Sequence, residues 1–335
     1  MKNIVVKPWG VRGSLPAPLV GADVSKKVQA ALVKSAQLGT FPQGDAMEQA
    51  LWIEKHLEFA ERSTIGGNTT CVEVRCGNEL IILDMGSGMR PLGNTLIGEM
   101  FAKKTKGIQG TFLQSHVHWD HIQGYPFFGP LYMDRRKFDN RFRFFGGKEW
   151  DSSLEDVLRG QMNGPVFPVI HEEIEQTGMR MEFNTIFDGK SITLGTGDEE
   201  VRILCRKLFH PQETYGYRIE YKGEVFVFTT DHEPYGSGIP EGLEELVKGA
   251  DLWLTDCQYT QHQYEGKEFG NIRRHNWGHS YPEYIAGVAK ELKVAKVVTT
   301  HHDPGADDGR VLNIGKQVQS LSGIETIAAY EGLVL

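Results

Sequence analysis

Cysteine is scarce. Cys71, Cys76, Cys205 and Cys257 are the only four in 335 residues. They are scattered and form no C-x-x-C pair, which excludes a disulfide framework for a chain of this length. Reduced, buried thiols are expected instead. Long apolar runs are also missing: none approaches the ~20 residues of a membrane helix. The opening MKNIVVKPWG has neither the apolar core nor the small-residue cleavage site of a secretory signal, so a cytoplasmic protein with no membrane partner is expected. Nor is there a surplus of Lys and Arg. The formal net charge of -8 argues against a protein whose business is non-specific binding to nucleic acid. A small anionic substrate stays open, because bound metal would dominate the field at a site whatever the overall charge. No internal repeat or low-complexity tract is present.

What the chain does have is a series of short β-branched and aromatic runs bounded by Gly, Asp or Asn. These are CVEVRC (71–76), ELIILDMG (79–86), GTFLQSHV (110–117), VRILCRKLF (201–209), TYGYRIEY (214–221), EVFVFTTD (224–231), DLWLTDC (251–257) and AKVVTTHH (295–302), each with the signature of a strand. Residues 239–250, 281–294 and 309–323 carry helical apolar spacing. Strands that first pair as hairpins and then alternate with helices predict an α/β (α+β) sandwich, two sheets packed together with helices outside. The chain reads as one domain, 1–335, with a helical insertion at about 21–62 broken near Phe41-Pro42 and Gly44. A mixed segment over 131–182 contains a helix at 153–162 and a loop at 163–168.

The strongest chemical signal is Ser115-His116-Val117-His118-Trp119-Asp120-His121, an H-x-H-x-D-H string directly after an apolar strand. Three imidazoles and a carboxylate so close together are costly to bury unless a divalent metal compensates their polarity. Strand alternation would send His116 and His118 to the same side, and the turn that follows lets Asp120 and His121 reach a second position. His210, Asp231 and His301 also fall where strands are expected to end. Several strand ends converging on one edge make an active-site architecture.

With these motifs in order along nearly the whole chain, the sequence resembles the metallo-β-lactamase superfamily. The resemblance implies the four-layer αββα sandwich of that family. It implies that His116, His118 and His210 hold one metal, that Asp120, His121 and His301 hold a second, and that Asp231 bridges them. The cofactors so implied are two divalent ions, zinc by ligand type, with manganese or iron as alternatives. Asp84 matches the strand-end Asp that supports the histidine loop through hydrogen bonds. His302 and His232, adjacent in sequence to ligands, are expected to be structural. The loops Gly10–Ser14 and Gly66–Thr70 read first as turns, with an approach to substrate as the alternative. Tyr125–Phe128 reads as core, with exclusion of water from the site as its alternative.

His118 stands where oxygen-reducing diiron relatives have Glu, and Asp231 where many true β-lactamases have Cys, so both activities are disfavoured. TTDHEP and NWGHSYPEY look like the ribonuclease Z and cyclic phosphodiesterase branch. In that branch a His matching His279 helps the leaving oxygen depart, so Asp120 and His279 are the candidate catalytic residues. The His also opens a helix at Tyr281-Pro282, a structural role compatible with the first. Only one hairpin connects His210 to Asp231, which leaves no room for a tRNA-binding arm. The motifs from WGVRGSLPAP to TDHEP look most like small cyclic-nucleotide phosphodiesterases, the anti-Pycsar enzymes among them.

The expected activity is therefore hydrolysis of a 3′,5′-cyclic nucleotide to the linear monophosphate by metal-activated hydroxide. Alternatives are a ribonuclease Z-like nuclease, a phosphoribosyl cyclic phosphodiesterase, a lactonase or thioesterase, and a nucleotide-binding protein without catalysis. The expected partner is a small phosphodiester, with no stable nucleic-acid partner. A homodimer is expected from the insertion, whose Leu32, Leu38, Phe41, Leu51, Trp52, Ile53, Leu57 and Phe59 must pack either on the parent domain or on a second copy while narrowing the metal cleft.

Overall fold

The β-branched runs become strands whose ends differ from the sequence reading by a few residues at most. The structure, a computed structural model, describes residues 3–268, 270 and 272–335. One sheet holds β1 (Ile4–Gly10), β2 (Cys71–Cys76), β3 (Glu79–Leu83), β4 (Gln109–Leu113), β5 (Arg141–Gly146) and β8 (Arg180–Thr185) in the order β1-β2-β3-β4-β5-β8. The other runs β15-β14-β13-β12-β11-β10-β9, from β9 (Ser191–Leu194), β10 (Val201–Leu208), β11 (Thr214–Tyr221) and β12 (Glu224–Thr229) to β13 (Leu252–Asp256), β14 (Lys296–Thr300) and β15 (Glu325–Ala328). Each sheet is antiparallel where hairpins join its strands and parallel where helices cross over, as connection length requires. A two-residue ribbon, β6 (Lys148–Glu149) with β7 (Ser152–Ser153), sits apart.

Alternation along the strands then builds the layers. Val72, Val74, Ile81 and Leu83 of the first sheet meet Ile203, Tyr217, Phe226 and Phe228 of the second in the central core. Their neighbours Ile82, Phe112, Phe142 and Phe144 turn outward onto α4 (Met89–Lys103), α6 (Leu154–Gln161) and α7 (His171–Gln176). On the opposite side Val227, Trp253 and Val297 pack on α8 (Glu241–Val247), α10 (Pro282–Glu291) and α11 (Asp308–Ser322). With both faces of each sheet covered, the result is the four-layer αββα arrangement, and the fold expected from the motifs is the fold observed. The short helices α5 (Trp119–Ile122) and α9 (Gln261–Tyr264) lie in the loops that cap one end.

The sequence reading does not include β1, β5, β8, β9 or β15, and further details differ from it. The helix α4 escapes it, because Pro91, Gly93 and Gly98 dilute the apolar spacing that would announce a helix. Strand β4 ends at Leu113, so His116 and His118 stand in irregular chain beyond the ladder, and strand alternation is not what aligns them. Residues 21–62 carry α1 (Gly21–Leu38), α2 (Ala46–His56) and α3 (Phe59–Arg62). Of the apolar side chains in that segment expected to be covered, Leu57 is buried and Phe59 packs against Tyr330. Leu32, Leu38, Phe41, Leu51 and Ile53 are exposed, so packing on the parent domain does not account for them.

Candidate metal centre

Strands β3, β4, β10, β12, β13 and β14 all end at the same edge of the sandwich, and the residue types there depart from those of ordinary turns. Three non-glycine residues just beyond strand ends adopt left-handed backbone: Asp84 (φ 60°), Asp231 (φ 48°) and His301 (φ 56°). Such conformations cost on the order of 1–3 kcal/mol each and collect at functional sites. All three side chains are buried and aimed at one another's neighbourhood.

Three groups of donors result among the described residues: two from the expected ligands and a third, Asp231, Asp256, His279 and His301, that overlaps them. His116, His118, His210 and Asp231 offer one ligand atom each within 4.8 Å of one another, and so do Asp120, His121 and His301. In the first group His118 Nδ1 lies 2.9 Å from His116 Nε2 and 3.2 Å from His210 Nε2. In the second, Asp120 Oδ2 is 3.2 Å from both His121 Nε2 and His301 Nε2, which are 3.1 Å apart. Asp231 faces both groups. Its Oδ2 is 3.6 Å from His116 Nε2, and its Oδ1 is 3.2 Å and 3.1 Å from the Nε2 atoms of His121 and His301.

These separations test the fit of a metal. A tetrahedral ion with bonds of about 2.0–2.1 Å sets its ligands about 3.3 Å apart, close to the spacings found. The first group also crowds three imidazole nitrogens together in a buried space, where a cation can satisfy all the lone pairs at once and a shared proton cannot. The donor set fits two divalent ions, with Asp231 placed to touch both.

Electrostatics divide the histidines in a way that suits this. Burial pushes His116 well below the usual imidazole range, lowers His118, and brings His210 to about 4, so all three are neutral at pH 7 and offer a lone pair. His121 and His301 go the other way. Burial opposes their charge, but Asp120, Asp231 and Asp84 raise His121, and Asp231 and Asp120 raise His301. Asp120 and Asp231, which burial alone would raise, are held far below the usual carboxylate range by the same histidines. The carboxylates around His121 and His301 favour positive charge there, which a divalent cation would supply.

The surrounding groups fix which ring nitrogen faces inward. Asp84 accepts from the Ser115 backbone N–H at 2.7 Å and, through Oδ2, from Ser115 Oγ and His121 Nδ1, each at 2.8 Å, which is the supporting role its position suggested. His210 Nδ1 donates to the Gly278 carbonyl at 3.1 Å. Gly278 has φ 83°, and a Cβ there would fall 1.7 Å from that same nitrogen, so no other residue fits. Similarly, a Cβ on Gly13 would fall 2.4 Å from His301 Nδ1, while the next residue, Ser14, donates its backbone N–H to Asp120 Oδ2 at 2.7 Å. The Gly10–Ser14 loop thus touches the donors themselves. The Gly66–Thr70 loop stands behind it, its Asn68 carbonyl accepting from the N–H groups of Val11 and Arg12.

His279 lies at the rim of the second group. Its ring stacks on His301 with centroids 5.0 Å apart, and its Nδ1 meets Asp256 Oδ2 at 2.7 Å. Asp256, fully buried at the end of β13, also accepts from the backbone N–H groups of Gln258 and Ser280 and lies 3.5 Å from His301 Nδ1. Sequence reading missed Asp256, although a carboxylate closing an apolar strand is the same signal that marked Asp84 and Asp231. It also missed Glu233, a buried carboxylate that accepts from the N–H groups of Asn276 and Gly278 and so anchors the loop carrying His279. His302 and His232 stay out of the donor groups. His302 hydrogen-bonds the Ala329 carbonyl and His232 the Thr255 hydroxyl, and burial lowers them to about 3 and about 4. Tyr125 and Phe128 are core, with Tyr125 Oη 2.8 Å from His171 Nε2, and Phe127 is exposed.

Known proteins share the fold. The beta-lactamase superfamily domain matches residues 93–302, a span that includes every donor named above. A ribonuclease Z from Brevibacillus brevis is 31% identical over 126 residues, a match covering 38% of this chain and 32% of that relative, so the chain spans about a third of its length. Among solved structures, unliganded yeast PDE1 superposes with a TM-score of 0.62 at 16% identity, over 100% of this chain and 99% of that one. The metallo-beta-lactamase fold protein YhfI from Bacillus subtilis gives 0.61 at 17% identity, over 99% and 98%. At such identities the likeness is one of fold. The family match falls on the strand ends where the buried His and Asp donors gather, and the chain belongs to the beta-lactamase superfamily as a metal-dependent hydrolase of the metallo-β-lactamase fold.

Proposed function

We propose that the protein hydrolyses a 3′,5′-cyclic nucleotide to the linear nucleoside monophosphate, with zinc as the native metal. The observation that carries this reading is the Asp256–His279 pair beside the donor groups. A phosphodiester ring opened at one ester bond releases a ribose alkoxide, which needs a proton, and an imidazole clamped at Nδ1 by a buried carboxylate leaves Nε2 to deliver one. A thioester gives such a group no comparable work. Two divalent ions at the centre would neutralise phosphate charge and lower the pKa of a nearby water towards neutrality. The chain's own part is to orient His210 through Gly278, to hold Asp120 through Ser14, and to fix His279 through Asp256.

The rim supports a base-bearing substrate. Trp119, Tyr235 and Trp277 are exposed aromatics close in sequence to Asp120, Asp231 and His279 respectively. Arg274 lies 4.6 Å over the Tyr259 ring, which itself meets His279 edge-on at 5.6 Å. Stacking on such rings is worth about 1–3 kcal/mol per base and is tolerant of base identity. A nuclease acting on folded RNA is less favoured. Only the β11–β12 hairpin connects His210 to Asp231, and the net charge of -8 opposes a polyanion.

The test is incubation of the metal-loaded protein with 3′,5′-cyclic mononucleotides, cyclic dinucleotides, precursor tRNA, bis(p-nitrophenyl) phosphate and a thioester, read by chromatography. Linear monophosphate from the cyclic mononucleotides, faster than turnover of tRNA or thioester, is expected. The reverse order overturns the proposal.

A further inference from the structure

The place of His279 decides on which side of the centre the sugar leaves, and with it where the base lies. When a ribose ester breaks, the departing oxygen takes its proton at His279, so the ribose and the base it carries extend past that ring. Of the three rings that meet His279 among the described residues, two belong to the donors His210 and His301, and the third is Tyr259, edge-on at 5.6 Å. Two further side chains pack on Tyr259: the Trp277 ring at 6.5 Å and the Arg274 guanidinium at 4.6 Å. Tyr259 is buried and Trp277 is 48% exposed. The inner aromatic thus holds the cluster in place, and the outer one offers a face on which a base can stack.

Arg274 has work left to do in this cluster. Its guanidinium lies over Tyr259 and, at 5.9 Å, over Trp277. Among the described residues no carboxylate comes within ion-pair distance of it, in a chain whose net charge is -8. A guanidinium carries several N–H donors in a planar fork. The chain accepts from Nη1, through the Gln263 carbonyl at 3.2 Å, while Nε is buried with no acceptor. A polar group left in that state calls for a partner from outside the chain. The local field disfavours a second phosphate in that role. Burial and then Asp256, Asp303 and Asp231 raise the Tyr259 hydroxyl above its usual range, against the opposing pull of Arg274, and the same carboxylates repel another anion. A neutral group with two adjacent acceptors meets the fork without that repulsion. Guanine has such an edge in O6 and N7, whereas adenine puts an N6 donor where O6 would be.

We propose that Arg274 reads the base of the substrate, selecting guanine through O6 and N7 while Trp277 stacks on its face. The inference rests on the hydrolysis of a 3′,5′-cyclic nucleotide at this centre and adds the base to it. Arg274 and Trp277 sit on the same loop as Gly278 and His279, which Glu233 anchors through the N–H groups of Asn276 and Gly278. Base reading and proton delivery are thereby held in one frame.

Rates for 3′,5′-cyclic GMP and cyclic AMP on the metal-loaded full chain test it, together with calorimetric binding of 5′-GMP and 5′-AMP. The wild type is expected to favour guanine at least about tenfold in kcat/KM and in affinity. Arg274→Lys keeps the charge but not the fork, and should bring both ratios to within about threefold. The 7-deaza analogue of cyclic GMP lacks the N7 acceptor, so it should lose the same advantage on the wild type and nothing further on the variant. If Arg274 merely braced the loop, the substitution would lower every nucleotide together and leave the ratios in place, which would overturn the proposal. Equal handling of the two bases by the wild type, or no binding of either nucleotide, would overturn it as well. Absence of turnover, with a guanine preference in binding that Arg274→Lys abolishes, would refute the activity and uphold the base reading. Turnover without base preference would do the reverse.

Discussion

His279→Asn separates proton delivery from scaffolding. Asp256 is fully buried and takes hydrogen bonds from His279 Nδ1 at 2.7 Å, Gln258 N–H at 3.0 Å and Ser280 N–H at 3.2 Å. Truncating His279 to Ala would strand one carboxylate oxygen, at a cost of about 1–3 kcal/mol or more, and any fall in rate could then be blamed on a disturbed loop. Asparagine can still donate its amide N–H to Asp256, but it cannot transfer a proton. General acid assistance is typically worth about 10²–10⁴-fold, or about 3–5 kcal/mol of transition-state stabilisation. A fall in kcat of that size is expected on a cyclic nucleotide, with metal content unchanged by elemental analysis. On bis(p-nitrophenyl) phosphate, whose leaving group needs little protonation, the loss should stay under about tenfold. Equal losses on the two substrates, or loss of metal, would refute the assignment of His279 as proton donor.

Asp231→Ala removes the one carboxylate that faces both donor groups. Bound metal should drop below two ions per chain, with little activity left, and elemental analysis alongside a rate assay reads both. Gly278→Ala places a methyl group 1.7 Å from His210 Nδ1 at φ 83°. It should cost at least one metal and most of the activity, whereas Gly287→Ala, with open space around it, should cost neither. Acid should weaken the metal-free fold through His232 and His302, which burial holds at about 4 and about 3. Their folded values lie below the ordinary ~6.5, so the stability they contribute is complete above about pH 6.5 and is lost as pH falls towards those values. For His232 this is on the order of 3 kcal/mol. Urea unfolding between pH 7 and 4.5 should show the slope, and His302→Asn should reduce it.

The metal-site string at 116–121 was legible because burying three imidazoles so close together has almost no other purpose. His210, Asp231 and His301 were implied by the resemblance to the metallo-β-lactamase superfamily, and each stands next to an apolar run that could be read as a strand. Asp256 closes a strand in the same way, but it has no histidine beside it in sequence, and only the three-dimensional approach to His279 gives it meaning. Glu233 was illegible for a related reason, since its partners are backbone N–H groups some 43 and 45 residues away. The fold class came from the alternation of strands and helices. The helix α4 did not, because the burial of Met89, Leu92, Leu96 and Met100 overrides its unfavourable Pro and Gly content.

The left-handed backbone at Asp84, Asp231 and His301 has an evolutionary consequence. Each of these positions would be more comfortable as Gly or Asn in the absence of metal, so the apo chain holds its active site against its own conformational preference. Drift towards such residues would raise the resistance of the apo protein to heat while erasing the centre, whereas metal, by binding only the folded form, adds stability in proportion to the logarithm of its concentration. Selection for robustness and selection for turnover therefore pull on the same three residues in opposite directions, and the metal supply of the cell decides how far the chain can tolerate the strain.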